Sequence, residues 1–286
     1  MADHDAAHLT WHDTVVAGRA AHYAVGGSGA PVLFLHGWGL ADRSYTRSLQ
    51  PLISAGLRVF APALPGFGGT AELPAAEHSL RGYAQWVAAF AENMDLAEPA
   101  TLIGHSFGGG VAIRTAHDFP DLAGRLILVN SIGGSAWSDG RGVLKAISER
   151  PLWDWGLHLP TDLLPTRQLT RQLTTVLSVI LRDAIPNLMR NPAAIWRVAN
   201  LARTADLTPE LAELNRRRLP VVIVWSEQDN VIPEATLRSL RAGLGDPDVV
   251  TVPGGHSWLI ANPRLFGDVI TNVLALADPG PGAEAA

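Results

Sequence analysis

A chain of 286 residues, 47% of them hydrophobic, is long enough to bury one large core and too apolar to be disordered. Its net charge of −5 offers no electrostatic case for nucleic acid or an anionic membrane as a partner. With no cysteine, disulfides, thiolate catalysis and thiolate metal sites are excluded.

The opening residues, MADHDAAHLT, carry neither a basic n-region nor an apolar h-region, so the expectation is a cytoplasmic chain without a secretory leader. No uncharged apolar run reaches membrane-spanning length. His4, His8 and His12 recur every four residues, but they lie in a terminal segment with no helical pattern, and no metal is expected there. Residues 9–17 and 19–25 predict an antiparallel pair at a sheet edge. Residues 32–36, 57–61, 101–103, 125–129 and 221–225 are short apolar runs, without the alternation of a half-exposed strand, and 248–252 reads as one more strand. That pattern belongs to parallel strands covered on both faces. Helical spacing fills 42–55, 79–97, 107–118, 233–244 and 263–277. The β-α alternation predicts an α/β fold built on a mostly parallel, doubly wound sheet.

Between residues 132 and 218 the alternation stops, no strand is legible, and helical periodicity dominates. The tandem TRQL of residues 166–173 puts Leu169 and Leu173 on one helical stripe and Arg167 and Arg171 on another. Trp137, Trp153, Trp155 and Trp196 also fall here. The stretch reads as a helical cap after the sixth strand, over the sheet edge where open α/β sheets bind ligands. The expected organisation is a core of residues 1–131 and 219–278, a cap of 132–218, and a disordered tail of 279–286. Arg216, Arg217 and Arg218 read as a solvated patch, since no wider basic face accompanies them. Arg190 and Arg197 read either as a solvated helix face or as anchors for a substrate carboxylate.

Residues 104–108, GHSFG, place Ser106 where a strand turns into a helix, the context of a nucleophile on a strained elbow. A serine hydroxyl is a poor nucleophile until a base takes its proton. His256, in the GGHSW of residues 254–258, follows the last predicted strand and so faces the same sheet edge. His105 adjoins the serine, but so tight a turn makes its side chain diverge. The histidine needs an acid to hold its tautomer. Asp229, in SEQDNVIP, lies just past the strand ending at residue 225; Glu227 is the nearest competitor. Asn130 and Ser131 occupy the end of the preceding strand, where another acid would have to stand. Two backbone donors for a developing oxyanion are expected at Phe107, which opens the helix behind Ser106, and at Trp38 in the HGWG of residues 36–39. His36 reads as a brace for that loop.

From about residue 30 to 130 and again from 219 to 275, the HGWG, PGFGG, GHSFGG, SEQDNVIP and GGHSW segments resemble, in order, the landmarks of a capped α/β-hydrolase. One position departs: Ala63 stands where that family often carries an acid before Pro-Gly, which removes a loop brace and no triad member. The resemblance implies the triad Ser106, Asp229 and His256, and no cofactor or metal. Serine at position 106 disfavours the family's dehalogenases and epoxide hydrolases, which carry aspartate there. The expected activity is hydrolysis of small to medium hydrophobic carboxylic esters through an acyl-enzyme. Hydrolysis of a C–C bond in a vinylogous 1,5-diketone is the alternative, and a non-catalytic ligand receptor on the same scaffold is a third. The expected partner is a small hydrophobic substrate, with no nucleic acid and no membrane span.

Overall fold

The computed structural model describes residues 8–138, 143–151 and 181–276. Its centre is an eight-stranded sheet formed by β1 (Thr10–Val16), β2 (Arg19–Gly26), β3 (Pro31–Leu35), β4 (Arg58–Pro62), β5 (Ala100–His105), β6 (Ala123–Val129), β9 (Val221–Ser226) and β10 (Asp248–Val252). The strand order is β1-β2-β4-β3-β5-β6-β9-β10. The hairpin β1–β2 pairs antiparallel to the edge of β4, and every pairing from β4 to β10 is parallel. Ala17 (φ 49°) and Gly18 (φ 75°) close that hairpin in the left-handed conformation that a tight two-residue turn requires.

Side-chain alternation divides the core between the two faces of the sheet. Leu33, Leu35, Leu102, Leu126, Leu128 and Ile223 pack on one face, with α2 (Leu80–Asn93) and α3 (Phe107–Asp118). Val32, Phe34, Ile103, Ile127, Val129 and Val224 pack on the other, with α1 (Thr46–Ser54) and α8 (Pro263–Leu276). Each such side chain, fully buried, contributes roughly 1.5–3 kcal/mol. A strand buried on both faces therefore shows a continuous apolar run, as the sequence does.

After β6 the chain leaves the sheet. Two three-residue strands, β7 (Ala136–Ser138) and β8 (Leu144–Ala146), form an antiparallel hairpin in a stretch where no strand was legible. Three residues are too few for a period-two pattern to register. Helical residues 181–190 are followed by α4 (Pro192–Arg203) and α5 (Thr208–Arg216), and the chain re-enters the sheet at β9. Among the described residues, two further helices are α6 (Glu234–Gly243) and the short α7 (Trp258–Ala261). Trp137 is buried beside α6, and Trp196 is 63% exposed on α4. Trp153, Trp155 and the TRQL repeat lie outside the described residues, as does His4. Among the described residues no helix is long and apolar enough to cross a membrane.

Candidate active site

The parallel register brings the carboxyl ends of five strands to one edge. Leu35 pairs with Gly104, His105 with Val129, Val129 with Val224, and Ser226 with Val252. The residues that follow these positions are therefore neighbours: the loop beginning at His36, Ser106, Asn130, the loop holding Asp229, and the loop holding His256.

Ser106 joins β5 directly to α3 with φ 54° and ψ −116°, a conformation that costs a non-glycine residue on the order of 1–3 kcal/mol. Its surroundings hold it there. Its N–H donates to the Val129 carbonyl at 3.0 Å, and its carbonyl accepts from Gly109 N–H at 3.0 Å and Ile132 N–H at 3.2 Å. Glycines flank the serine because strand and helix nearly touch. A Cβ on Gly104 would overlap the Gly108 carbonyl, and one on Gly108 would overlap the Leu35 carbonyl.

His256 is 6% exposed, and its Nδ1 lies 2.9 Å from Asp229 Oδ2. A carboxylate only accepts, so Nδ1 carries the proton and Nε2 is left as the basic nitrogen. The Asp229 side chain is fully buried and saturated with donors. Oδ1 accepts from the backbone N–H of Val231 at 2.8 Å and of Ile232 at 2.9 Å, and Oδ2 from Asn130 Nδ2 at 2.5 Å as well as from His256. Gln228 N–H donates to the Gly254 carbonyl at 3.0 Å, tying the two loops together. Glu227, the competitor in sequence, is exposed.

On the other side of Ser106, His36 is wholly buried and braces its loop. Its Nδ1–H donates to the Gly37 carbonyl and its Nε2 accepts Leu64 N–H, both at 2.8 Å. Burial pushes this imidazole down to about 4, so it is neutral. Trp38 follows in the same loop, with its indole Nε1–H on the Ile195 carbonyl at 2.8 Å. Phe107 is the first residue of α3, where a backbone N–H has no acceptor within the helix. Arg197 donates from Nε to Glu72 Oε1 at 2.8 Å, so a protein carboxylate already engages it; Arg190 is exposed.

A family model described as "Alpha/beta hydrolase family" matches residues 32–269, which span every segment of this edge. The chain belongs to that family. The hydrolase is 30% identical over 258 residues to the pimeloyl-(acyl-carrier protein) methyl ester esterase of Aromatoleum aromaticum, covering 85% of this chain and 97% of that protein. It is 27% identical over 243 residues to the 2-hydroxy-6-oxo-6-phenylhexa-2,4-dienoate hydrolase of Comamonas testosteroni, covering 79% and 80% respectively. A solved structure of the bromoperoxidase from Bacillus anthracis matches the fold at TM-score 0.70 and 18% identity, over 92% of this chain and all of that one, 100%.

Two features of this candidate site are not legible in the sequence. In the sequence Asn130 marks only the absence of an acid. It is the hub beneath Asp229, donating also to Ser226 Oγ at 2.7 Å and accepting Trp258 Nε1–H at 2.9 Å. Tyr45 lay inside a predicted helix, with nothing to mark its hydroxyl as part of the site. Neither motif nor spacing flags such residues, because their partners are far away in the chain.

Proposed function

We propose that this hydrolase cleaves small to medium hydrophobic carboxylic esters through an acyl-enzyme on Ser106. The observation that carries the reading is the buried, donor-saturated Asp229 on His256 Nδ1, at the sheet edge that also presents the strained Ser106. Ser106 Oγ attacks the acyl carbon while its proton passes to His256 Nε2. The negative charge gathers on the carbonyl oxygen, against the N–H groups of Phe107 and Trp38; one such donor is worth on the order of 3 kcal/mol. The C–O bond breaks, the alcohol departs with the proton from His256, and water repeats the sequence to release the acid. Asp229 stays ionised and stabilises the imidazolium. Each step draws only on protein groups and water.

The likeness to the dienoate hydrolase of Comamonas testosteroni favours a second reading, cleavage of a C–C bond beside a carbonyl by the same residues. Against it, Arg197 is already held by Glu72, which leaves Arg190 as the exposed alternative for a substrate carboxylate. The test is a series of p-nitrophenyl esters from acetate to decanoate, assayed on wild type and on Ser106→Ala. The expected kcat/KM climbs about fourfold per methylene until the acyl pocket is full, since each buried CH₂ is worth about 0.8 kcal/mol. Ser106→Ala is expected to lower kcat by at least about a thousandfold, because the triad acts as a unit. A fluorophosphonate probe should label Ser106 and nothing in the variant. Turnover of a dienoate diketone with none of any ester would establish the second reading in place of the first.

A further inference from the structure

His105 is the residue before Ser106, and its ring lies buried between Tyr45 and the backbone of His256. There its Nε2 lies 3.2 Å from the backbone carbonyl of His256, and its Nδ1 lies 2.9 Å from the Tyr45 hydroxyl. The carbonyl can only accept, so Nε2 carries the proton and Nδ1 accepts from Tyr45. The same hydroxyl oxygen accepts the N–H of Gly37 at 3.1 Å. Every proton in this chain of three bonds has one possible direction: Gly37 N–H to Tyr45, Tyr45 O–H to His105, His105 N–H to His256.

The two side chains are almost completely shielded, at 2% exposure for His105 and 0% for Tyr45. Tyr45 is gripped by Phe34, with ring centroids 4.9 Å apart, and the His105 ring lies 4.9 Å from that of His256. Burial, and then the neighbouring His256, holds the His105 imidazole well below the ordinary histidine range, which keeps the ring neutral and its two nitrogens distinct. Glycine at position 37 leaves the room this arrangement needs, since a Cβ there would stand 2.9 Å from His105 Nδ1.

We infer that Tyr45 and His105 are positioning residues that tie the oxyanion loop at Gly37 to the backbone of His256, setting both at the separation Ser106 requires. The inference rests on the roles given above to Trp38, Ser106 and His256. Gly37 immediately precedes Trp38, so the tie restrains the peptide that carries the second oxyanion donor. Its other end restrains the base. An oxyanion donor acts by being in place before charge develops, and displacement of a reacting group by 1 Å can cost about a hundredfold in rate.

The test compares Tyr45→Phe, His105→Leu and His105→Gln on a p-nitrophenyl ester, with amide hydrogen exchange at Gly37 as a readout independent of turnover. Tyr45→Phe keeps the ring against Phe34 and removes one oxygen, so the fold is retained. It is expected to lower kcat about tenfold with KM within about twofold, and to speed Gly37 exchange about tenfold. His105→Leu breaks the tie at its centre and is expected to lower kcat about a hundredfold. The glutamine amide again offers a donor and an acceptor, and His105→Gln should recover about tenfold of that loss. A side chain that merely filled space would show leucine and glutamine alike. Wild-type kcat in Tyr45→Phe, or equal losses in the leucine and glutamine variants, would overturn the inference. A wild type inert towards every ester and unlabelled at Ser106 would instead sink the hydrolase reading. The tie would then be judged by Gly37 exchange, which must rise in Tyr45→Phe.

Discussion

Asp229 collects four donors on two oxygens, from Val231, Ile232, Asn130 and His256, while Glu227 two residues earlier reaches solvent. The turn explains the difference. Asp229 N–H folds back onto the Ser226 carbonyl at 3.2 Å, and the amides two and three residues on, of Val231 and Ile232, point at its carboxylate. Asp229→Asn keeps the shape but places an amide NH₂ or a weaker acceptor against His256 Nδ1, which favours the wrong tautomer. The corresponding change in a serine protease costs about 10⁴ in kcat, and a loss of that order is expected here. Glu227→Gln should stay within about twofold, as surface substitutions do. Steady-state kinetics on the two variants decides the matter, and the opposite ranking would make Glu227 the acid.

At the scale of elements, four residues spaced by four hold loops near the candidate site: two from helical residues 181–190, Asn191 at the break, and one from α4. Asp183 Oδ2 accepts from Ala41 N–H at 3.3 Å, Ser44 N–H at 3.1 Å and Ser44 Oγ–H at 2.5 Å. Asn187 accepts Gly68 N–H at 3.0 Å and donates to the Gly39 carbonyl at 3.1 Å. Asn191 donates to Glu72 Oε2 at 2.6 Å, and the Ile195 carbonyl takes the Trp38 indole. A spacing of four puts Asp183 and Asn187 on one side of helical residues 181–190, and Asn191, with φ −150°, breaks the helix and opens α4. Together the four hold loop 37–44, which carries the proposed oxyanion donor Trp38, and the neighbouring loop 66–72, tied to it through Asn187. A cap of residues 132–218 over the ligand-binding edge is expected to set specificity and leave the chemistry to the core, with Trp137 and Trp196 the first residues to truncate in testing it. The bonds point to a different division. Asp183→Ala and Asn187→Ala are expected to lower kcat/KM about tenfold on acetate and on longer esters alike, each removing two or three bonds of about 1 kcal/mol. Trp196→Ala, on an exposed side chain, should change little. Acetate turnover untouched in the Asp183 and Asn187 variants would return the segment to a purely selective role.

Across the whole molecule, acid stability turns on buried ionisable groups, above all His36 and His105 at the sheet's carboxyl edge, which the fold keeps neutral. His36 has a folded-state value of about 4 against an ordinary 6.5. Below pH 6.5 the unfolded chain therefore binds a proton that the fold refuses, and stability falls as pH drops from 6.5 towards 4, by on the order of 3 kcal/mol for this residue. His105 acts in the same direction. Asp42 acts in the opposite one: burial raises it to about 6, so its contribution favours the fold at low pH and is lost as pH rises from about 4 to 6. The His36 component is isolated by His36→Gln. Urea melts of wild type and variant between pH 7.5 and 4.5 should show the wild type losing more stability on acidification. Parallel curves would mean that His36 takes up its proton without cost to the fold.

Much of this was decided by local physics and was legible in the sequence. Short continuous apolar runs at β3, β5, β6 and β9, alternating with helical segments, match strands covered on both sides, and the glycines around Ser106 serve a backbone crossing that no Cβ fits. The positions of Ser106, His256 and Asp229 at strand ends follow from chain order, since in a parallel sheet every strand's carboxyl end faces the same edge. Choosing between Asp229 and Glu227 did not follow from order, because two residues of loop can point either way until a turn closes. Nor did the roles of Tyr45, Asn130 and Asp183. Each makes its bonds to residues about 60 to 140 positions away, or to a backbone amide that only the completed loop presents. Hydrophobic periodicity records which side of an element is buried and nothing about what polar group waits there. Those pairings came into being only when the sheet register brought the five loops together.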